Sequence, residues 1–262
     1  MTSLPEDRLS VTILGSGTCV PSLRRSACAV LVEAGSTSVL MDVGPGTMGR
    51  LLEARTEIFD ITLICLSHFH LDHCGELPAF LFATRYPDAK RRQSPLILAG
   101  GRGLAEFVGG LKQVWGRWIE PPAGLTMMEF GDGGDHRRPF DDFVLDARPV
   151  VHNPESTAFR ITVPNGRSVV YSGDTDVCDG LVALAQGADL LICESAFPDE
   201  LRVSGHLTPS LAGEMARRAR VKKLVLTHFY PQCDAVDMAA QCRKTWQGPL
   251  VLAEDLMRIA VE

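Results

Sequence analysis

The chain has 262 residues, is 45% hydrophobic and carries a formal net charge of −6. That length suits one layered α/β domain spanning residues 1–262, and the acidic balance excludes a global attraction for nucleic acid. No apolar run is long enough to span a bilayer, the opening residues Met1 to Arg8 lack a signal-peptide hydrophobic region, and the eight cysteines form no C-x-x-C pair, so the expectation is a cytoplasmic protein with free thiols and no membrane partner.

Apolar runs predict strands at Val11–Leu14, Ala27–Val32, Ser38–Met41, Ile61–Leu66, Leu96–Ala99 and Leu125–Phe130. Further strands are expected at Phe143–Val151, Ala158–Val163, Ser168–Tyr171, Leu190–Cys193, Leu224–Thr227 and Met257–Ala260. Helices are expected at Thr47–Ala54, Glu76–Thr84, Gly103–Val114, Leu181–Ala185, Pro209–Arg220 and Ala235–Thr245. Openings such as Thr208-Pro209 favour a helix start, because proline fits the first helical position. Met127-Met128 reads as core packing on its strand, Cys65 and Cys193 as small buried hydrophobes, and Asp132, Asp141 and Asp142 as solvated loop charges.

Directly after the strand Ile61–Leu66 comes Ser67-His68-Phe69-His70-Leu71-Asp72-His73. Three imidazoles and a carboxylate crowded at a strand end make a poor core and a good metal site, suited to zinc, manganese or iron. Elsewhere, His152 ends the run Phe143–Val151 and His228 ends Leu224–Thr227. Asp174 follows the strand Ser168–Tyr171 in Tyr171-Ser172-Gly173-Asp174-Thr175, where glycine permits a sharp turn. His206 lies in Ser204-Gly205-His206-Leu207-Thr208, and Glu194 ends Leu190–Cys193. Taken alone, His152 is more simply a satisfied surface histidine and Glu194 a strand-end carboxylate; the seven-residue cluster is not explained that way.

The pattern H-x-H-x-D-H after a buried strand resembles the metallo-β-lactamase superfamily, along nearly the whole chain. Leu14-Gly15-Ser16-Gly17-Thr18, Pro21-Ser22 and Met41-Asp42-Val43-Gly44-Pro45-Gly46-Thr47 further resemble its ribonuclease Z-like group. The resemblance implies a four-layer αβ/βα sandwich of the α/β class with the metals at one edge. The echo of Leu66-Ser67-His68-Phe69 in Leu226-Thr227-His228-Phe229 agrees with its pseudo-symmetry. It also implies two divalent ions, zinc foremost with manganese or iron as alternatives. His68, His70 and His152 would hold the first, Asp72, His73 and His228 the second, and Asp174 would bridge. A pair roughly 3.5–4 Å apart activates a bridging hydroxide and stabilises attacking and leaving oxygens. With two carboxylates and one hydroxide the site keeps a net charge of about +2, which favours an anionic substrate. Asp72 would orient the nucleophile and His206 would protonate the leaving group. Glu194 beside His206, in the E-x-x-F segment Glu194 to Phe197, would hold its tautomer.

One departure concerns size. Ribonuclease Z enzymes that cut tRNA precursors commonly carry a long flexible arm between the positions matching His152 and Asp174, which here are 22 residues apart. That gap holds two short strands and the turn Pro164-Asn165-Gly166, leaving no room for an arm. The plain reading of the local basic clusters Lys90-Arg91-Arg92, Arg137-Arg138 and Arg217 to Lys223 is a solvated helix or loop face, preferred for the Arg217 cluster, whereas Arg24-Arg25, in the loop expected near the metal edge, could contact substrate phosphate. The expectation is therefore a binuclear phosphodiesterase acting on a small or nucleotide phosphodiester, with RNA as an alternative substrate and a homodimer as an open possibility. Alternatives are a tRNA 3′-processing endoribonuclease, a thioesterase of the same fold, and a non-catalytic metal-binding accessory protein. A redox di-iron role is disfavoured by His70 and the absence of spare length for a flavodoxin unit.

Overall fold

The computed structural model describes residues 8–86, 92–131 and 136–262. Two seven-stranded mixed sheets pack face to face. The first contains β1 (Leu9–Gly15), β2 (Ala29–Ala34), β3 (Thr37–Met41), β4 (Ile61–Leu66), β5 (Leu96–Gly100) and β6 (Leu125–Glu129). The second contains β7 (Arg137–Pro139), β8 (Val144–Pro149), β9 (Thr157–Thr162), β10 (Ser168–Tyr171), β11 (Leu190–Glu194), β12 (Leu224–Thr227) and β13 (Leu250–Leu252), in reverse spatial order. The last strand, β14 (Met257–Ala260), crosses back to pair antiparallel with β1 at the edge of the first sheet.

Strand periodicity sorts the side chains into layers. On β3 and β4, Val39, Met41, Leu63 and Cys65 face the second sheet, where they meet residues such as Phe159 and Ile161. Their neighbours Leu40, Ile64 and Leu66 face outward onto α1 (Thr47–Glu53), α3 (Leu77–Ala83) and α4 (Leu104–Trp115). Both faces are buried, so these strands read as continuous apolar runs rather than alternating ones. On the far side, α5 (Asp179–Leu184) and α6 (Pro209–Ala219) cover the second sheet through Leu181, Leu184, Met215 and Ala216. The result is the expected four-layer αβ/βα sandwich.

Several expectations need correction. The helix expected over Ala235–Thr245 divides into a 3₁₀ turn, Pro231–Ala235, and α7 (Met238–Cys242). Asp237 ends the extended break between them and caps α7, accepting a hydrogen bond from the Ala240 N–H. Strands β7 and β13 escape sequence reading because each is three residues long. Met127 is 44% exposed, so it does not pack in the core. Asp142 is no free loop charge: it accepts hydrogen bonds from the Ser36 N–H and from the Ser36 and Thr37 hydroxyls, pinning the β2–β3 turn. Arg92 is buried and donates to the carbonyls of Ile58 and Ile61, so it is not part of a solvated face. Asp132, Lys90 and Arg91 lie outside the described residues.

The loop after β1 is clasped from the other end of the chain. Asp255 accepts hydrogen bonds from the N–H and hydroxyl of Ser16 and from the Ser26 N–H. Arg25 donates to the Ser16 hydroxyl and the Ala253 carbonyl and lies over the Phe229 ring. Arg25 therefore braces this loop rather than projecting toward substrate, and Arg24 faces Asp234 at 3.6 Å.

Candidate metal centre

The parallel strands β3–β6 and β10–β13 end on the same side of the sandwich, and ligands of open α/β sheets bind beyond such carboxyl ends. At the end of β4 the chain turns through His68 and His70 into α2 (Leu71–Cys74), a single helical turn that carries Asp72 and His73. Sequence reading leaves this turn unassigned. His152 lies three residues beyond β8, Asp174 three beyond β10, and His228 directly after β12. His228 has φ 62°, a conformation that costs a non-glycine residue energy and here turns the ring toward the site.

The side chains named from the sequence converge. One ligand atom each from His68, His70, His152 and Asp174 lies within 4.8 Å of the others. Asp174 also stands 3.3 Å from His73 Nε2 and 3.4 Å from His228 Nε2, through Oδ1. Asp72 Oδ2 is 3.5 Å from His228 Nε2. His68, His73, Asp174 and His228 are at most 3% exposed, whereas His70 stands at the solvent edge. Ring nitrogens face one another at 3.3 Å between His73 and His228 and at 3.2 Å between His70 and His152. Such facing pairs need a proton or a cation between them.

The donor set fits divalent metal on its own evidence. His68 Nε2 and Asp174 Oδ1 are buried and have no hydrogen-bond partner. An unsatisfied polar atom in the interior is costly and calls for an explanation, of which a bound ion is one. Burial, with His73 beside it, pushes the His68 ring down to about 2, leaving it a neutral imidazole as a ligand must be. Burial opposes a charge on His73, but Asp174 and Asp42 overcome it and push its ring upward. Burial would likewise raise Asp174, yet His228 and His73 outweigh it and hold the carboxyl well below its usual range.

A ring of supporting contacts fixes these side chains. Asp42, fully buried with φ 61°, accepts hydrogen bonds from the Ser67 N–H and hydroxyl and from Tyr171 Oη, and meets His73 Nδ1 at 2.7 Å. His152 Nδ1 donates to the Gly205 carbonyl, and the Cys19 N–H donates to Asp72 Oδ2. Such partners fix ring orientation and tautomer. Sequence reading assigned no role to Asp42, Ser67, Tyr171 or Asn153, whose amide stands 3.1 Å from His70 Nε2. The available signal for Asp42 was an aspartate ending an apolar strand just before Gly44 and Gly46.

His206 sits over the cluster, with ring centroids 4.8 Å from His152 and 5.7 Å from His228. Its Nδ1 is 3.0 Å from Glu194 Oε1. Glu194 is 1% exposed and also accepts the Thr175 and Ala196 N–H groups. Burial and the nearby Asp174 push its carboxyl upward. Glu194 is thus neither solvent-facing nor only a turn cap.

With the geometry established, known proteins provide a second line of observation. A model of the beta-lactamase superfamily domain matches residues 37–229. The chain is 32% identical over 244 residues to uncharacterized protein ML1173 of Mycobacterium leprae, covering 92% of this chain and 84% of that one. It is 30% identical over 279 aligned residues to ribonuclease Z of Mycobacterium sp. strain KMS, covering 97% and 96%. The crystal structure of human tRNase Z, short form, aligns with a TM-score of 0.78 and 28% identity over 97% of this chain and 99% of that one.

Proposed function

The chain belongs to the beta-lactamase superfamily, as a ribonuclease Z-like hydrolase of the metallo-β-lactamase fold, and from that premise we propose that it is a binuclear phosphodiesterase acting on a small or nucleotide phosphodiester. The observation that carries this reading is the convergence of His68, His70, Asp72, His73, His152, Asp174 and His228 around buried ligand atoms without hydrogen-bond partners.

In this proposal His68, His70 and His152 hold one ion, Asp72, His73 and His228 the other, and Asp174 serves both. Two divalent ions there, zinc foremost, would supply a nucleophile from water near neutral pH and positive charge for the oxygens of the reacting phosphate. Asp72, fixed by the Cys19 N–H, orients the nucleophile. His206 has its Nδ1 engaged by Glu194, so Nε2 is the ring nitrogen left to protonate the leaving oxygen. The short segment between His152 and Asp174 restricts the protein to substrates bound at the metal edge itself. The 279-position alignment to ribonuclease Z exceeds the 262 residues of this chain, so that relative carries insertions that this chain lacks.

The test joins metal analysis to turnover. Purified protein should hold two divalent ions per chain and hydrolyse bis(p-nitrophenyl) phosphate. His206→Ala should keep the ions, lose little on this good leaving group, and lose ~10²–10⁴-fold on an alkyl phosphodiester. Equal losses on the two substrates would remove His206 from the donor role. Absence of both bound metal and turnover would refute the hydrolytic reading. A second reading, tRNA 3′ processing, is favoured by the full-length match to a protein named ribonuclease Z.

A further inference from the structure

Sequence and donor chemistry leave the metal open, since histidine and aspartate suit zinc, manganese and iron alike. A residue outside the expected ligand set bears on that choice. Cys28, just before β2, is 2% exposed, and its Sγ lies within 4.8 Å of a ring nitrogen of His73 and of one of His228, which themselves lie within that distance of each other.

A buried cysteine is ordinarily a small hydrophobe. The surroundings of Cys28 are not those of a hydrophobe. Its thiol donates to the Gly17 carbonyl at 3.3 Å, and the two rings it approaches also carry the buried Asp174 carboxylate, whose Oδ1 has no hydrogen-bond partner and stands 3.3 Å from His73 Nε2 and 3.4 Å from His228 Nε2. One sulfur and two ring-nitrogen donors therefore stand within mutual reach. The backbone holds Cys28 there: its carbonyl accepts the Gly44 N–H, and the Gly44 position lies against Asp72, so the thiol and α2 share a support.

We propose that Cys28 Sγ is a further donor to the ion held by His73 and His228, adding sulfur to that position so that it selects thiophilic divalent ions such as zinc, cobalt and cadmium over manganese. The inference rests on the metal-site reading above. Thiolate sulfur is a soft ligand that zinc and its chemical analogues accept readily, whereas manganese prefers oxygen. On binding, the S–H bond is replaced by a sulfur–metal bond, the proton passes to solvent, and the hydrogen bond to Gly17 is released.

Cobalt(II) reports the difference by spectroscopy. Protein loaded with two cobalt ions should show visible d–d bands and a near-ultraviolet sulfur-to-cobalt charge-transfer band. Cys28→Ser should abolish the charge-transfer band, keep the d–d bands, and weaken cadmium binding roughly 10–100-fold while leaving manganese binding unchanged. Cys19→Ser is the control, because Cys19 stands at the site mouth with its Sγ 3.6 Å from Tyr230 Oη; that variant should retain the band. Circular dichroism establishes that both variants are folded. A wild-type protein with d–d bands but no charge-transfer band overturns the Cys28 proposal while leaving the metal site standing. Survival of the band in Cys28→Ser overturns it equally. Failure to bind cobalt at all overturns both readings.

Discussion

Asp42 touches no proposed ligand atom, yet its oxygens meet Ser67, Tyr171 and the far nitrogen of the His73 ring. Asp42→Asn keeps the shape but turns one acceptor into a donor that faces other donors. Metal affinity is expected to fall roughly 10–100-fold, measured by equilibrium dialysis against zinc; unchanged affinity would refute the positioning role. Asp174 makes a different demand. His68→Ala should empty the first ion position and His228→Ala should weaken the second, whereas Asp174→Ala should impair both. Two tightly held ions in Asp174→Ala, counted by elemental analysis, would contradict the assignment. The proposed ligands stand out in the sequence because four of them fall within six consecutive residues and the others follow apolar runs. Asp42, Tyr171 and Cys28 do not, because their approach depends on the β3–β4 register and on how the two sheets face each other. Arg25 misled for the same reason: nothing local reveals that Ser16, Ala253 and Phe229 claim it.

At the level of elements, α2 is one turn long and cannot hold itself in place by helix formation alone. Its support is close packing. The Val43 N–H donates to the His73 carbonyl, and a Cβ added at Gly44 would stand 2.2 Å from the Asp72 carbonyl oxygen. Both partners are backbone, so neither yields as a flexible side chain would. Gly44→Ala should therefore displace α2, and with it Asp72 and His73. The second ion should be lost at zinc concentrations that still fill the first, a difference that a metal titration resolves; parallel loss of both ions, or none, would show that α2 does not depend on this contact. Most strands were readable because burial on both faces writes continuous apolar runs. The polar three-residue β7 left no such run, β13 is apolar but only three residues long and half-buried, and the extended break before Asp237 shortened a helix that periodicity alone would extend.

For the whole molecule, the compact connection from His152 to Asp174 bears on the proposed substrate class. Strands β9 and β10 form a tight hairpin in which the Gly166 N–H donates to the Val163 carbonyl, leaving no projecting arm to grip an RNA body. The net charge of −6 adds repulsion for a long polyanion away from the local arginines. Small phosphodiesters should be hydrolysed measurably and precursor tRNA processed poorly. Side-by-side assays decide: efficient, site-specific 3′ cleavage of tRNA with negligible small-diester turnover would overturn this expectation and restore the tRNA-processing reading.

The clasp of Asp255 on Ser16 and Ser26 has a meaning in time as well as in space. A ribosome has already polymerised every proposed ligand once it passes His228, but the loop that presents Cys19 to Asp72 is fastened by a residue 27 positions further on. The order of synthesis thus has a late-made residue close an early-made loop, and contacts so distant in sequence form late. Nascent chains stalled before Asp255 are expected to take up cobalt far more weakly than released ones. Equal uptake would mean that the site matures without its clasp; unequal uptake would mean that a half-made chain cannot scavenge metal from its neighbours.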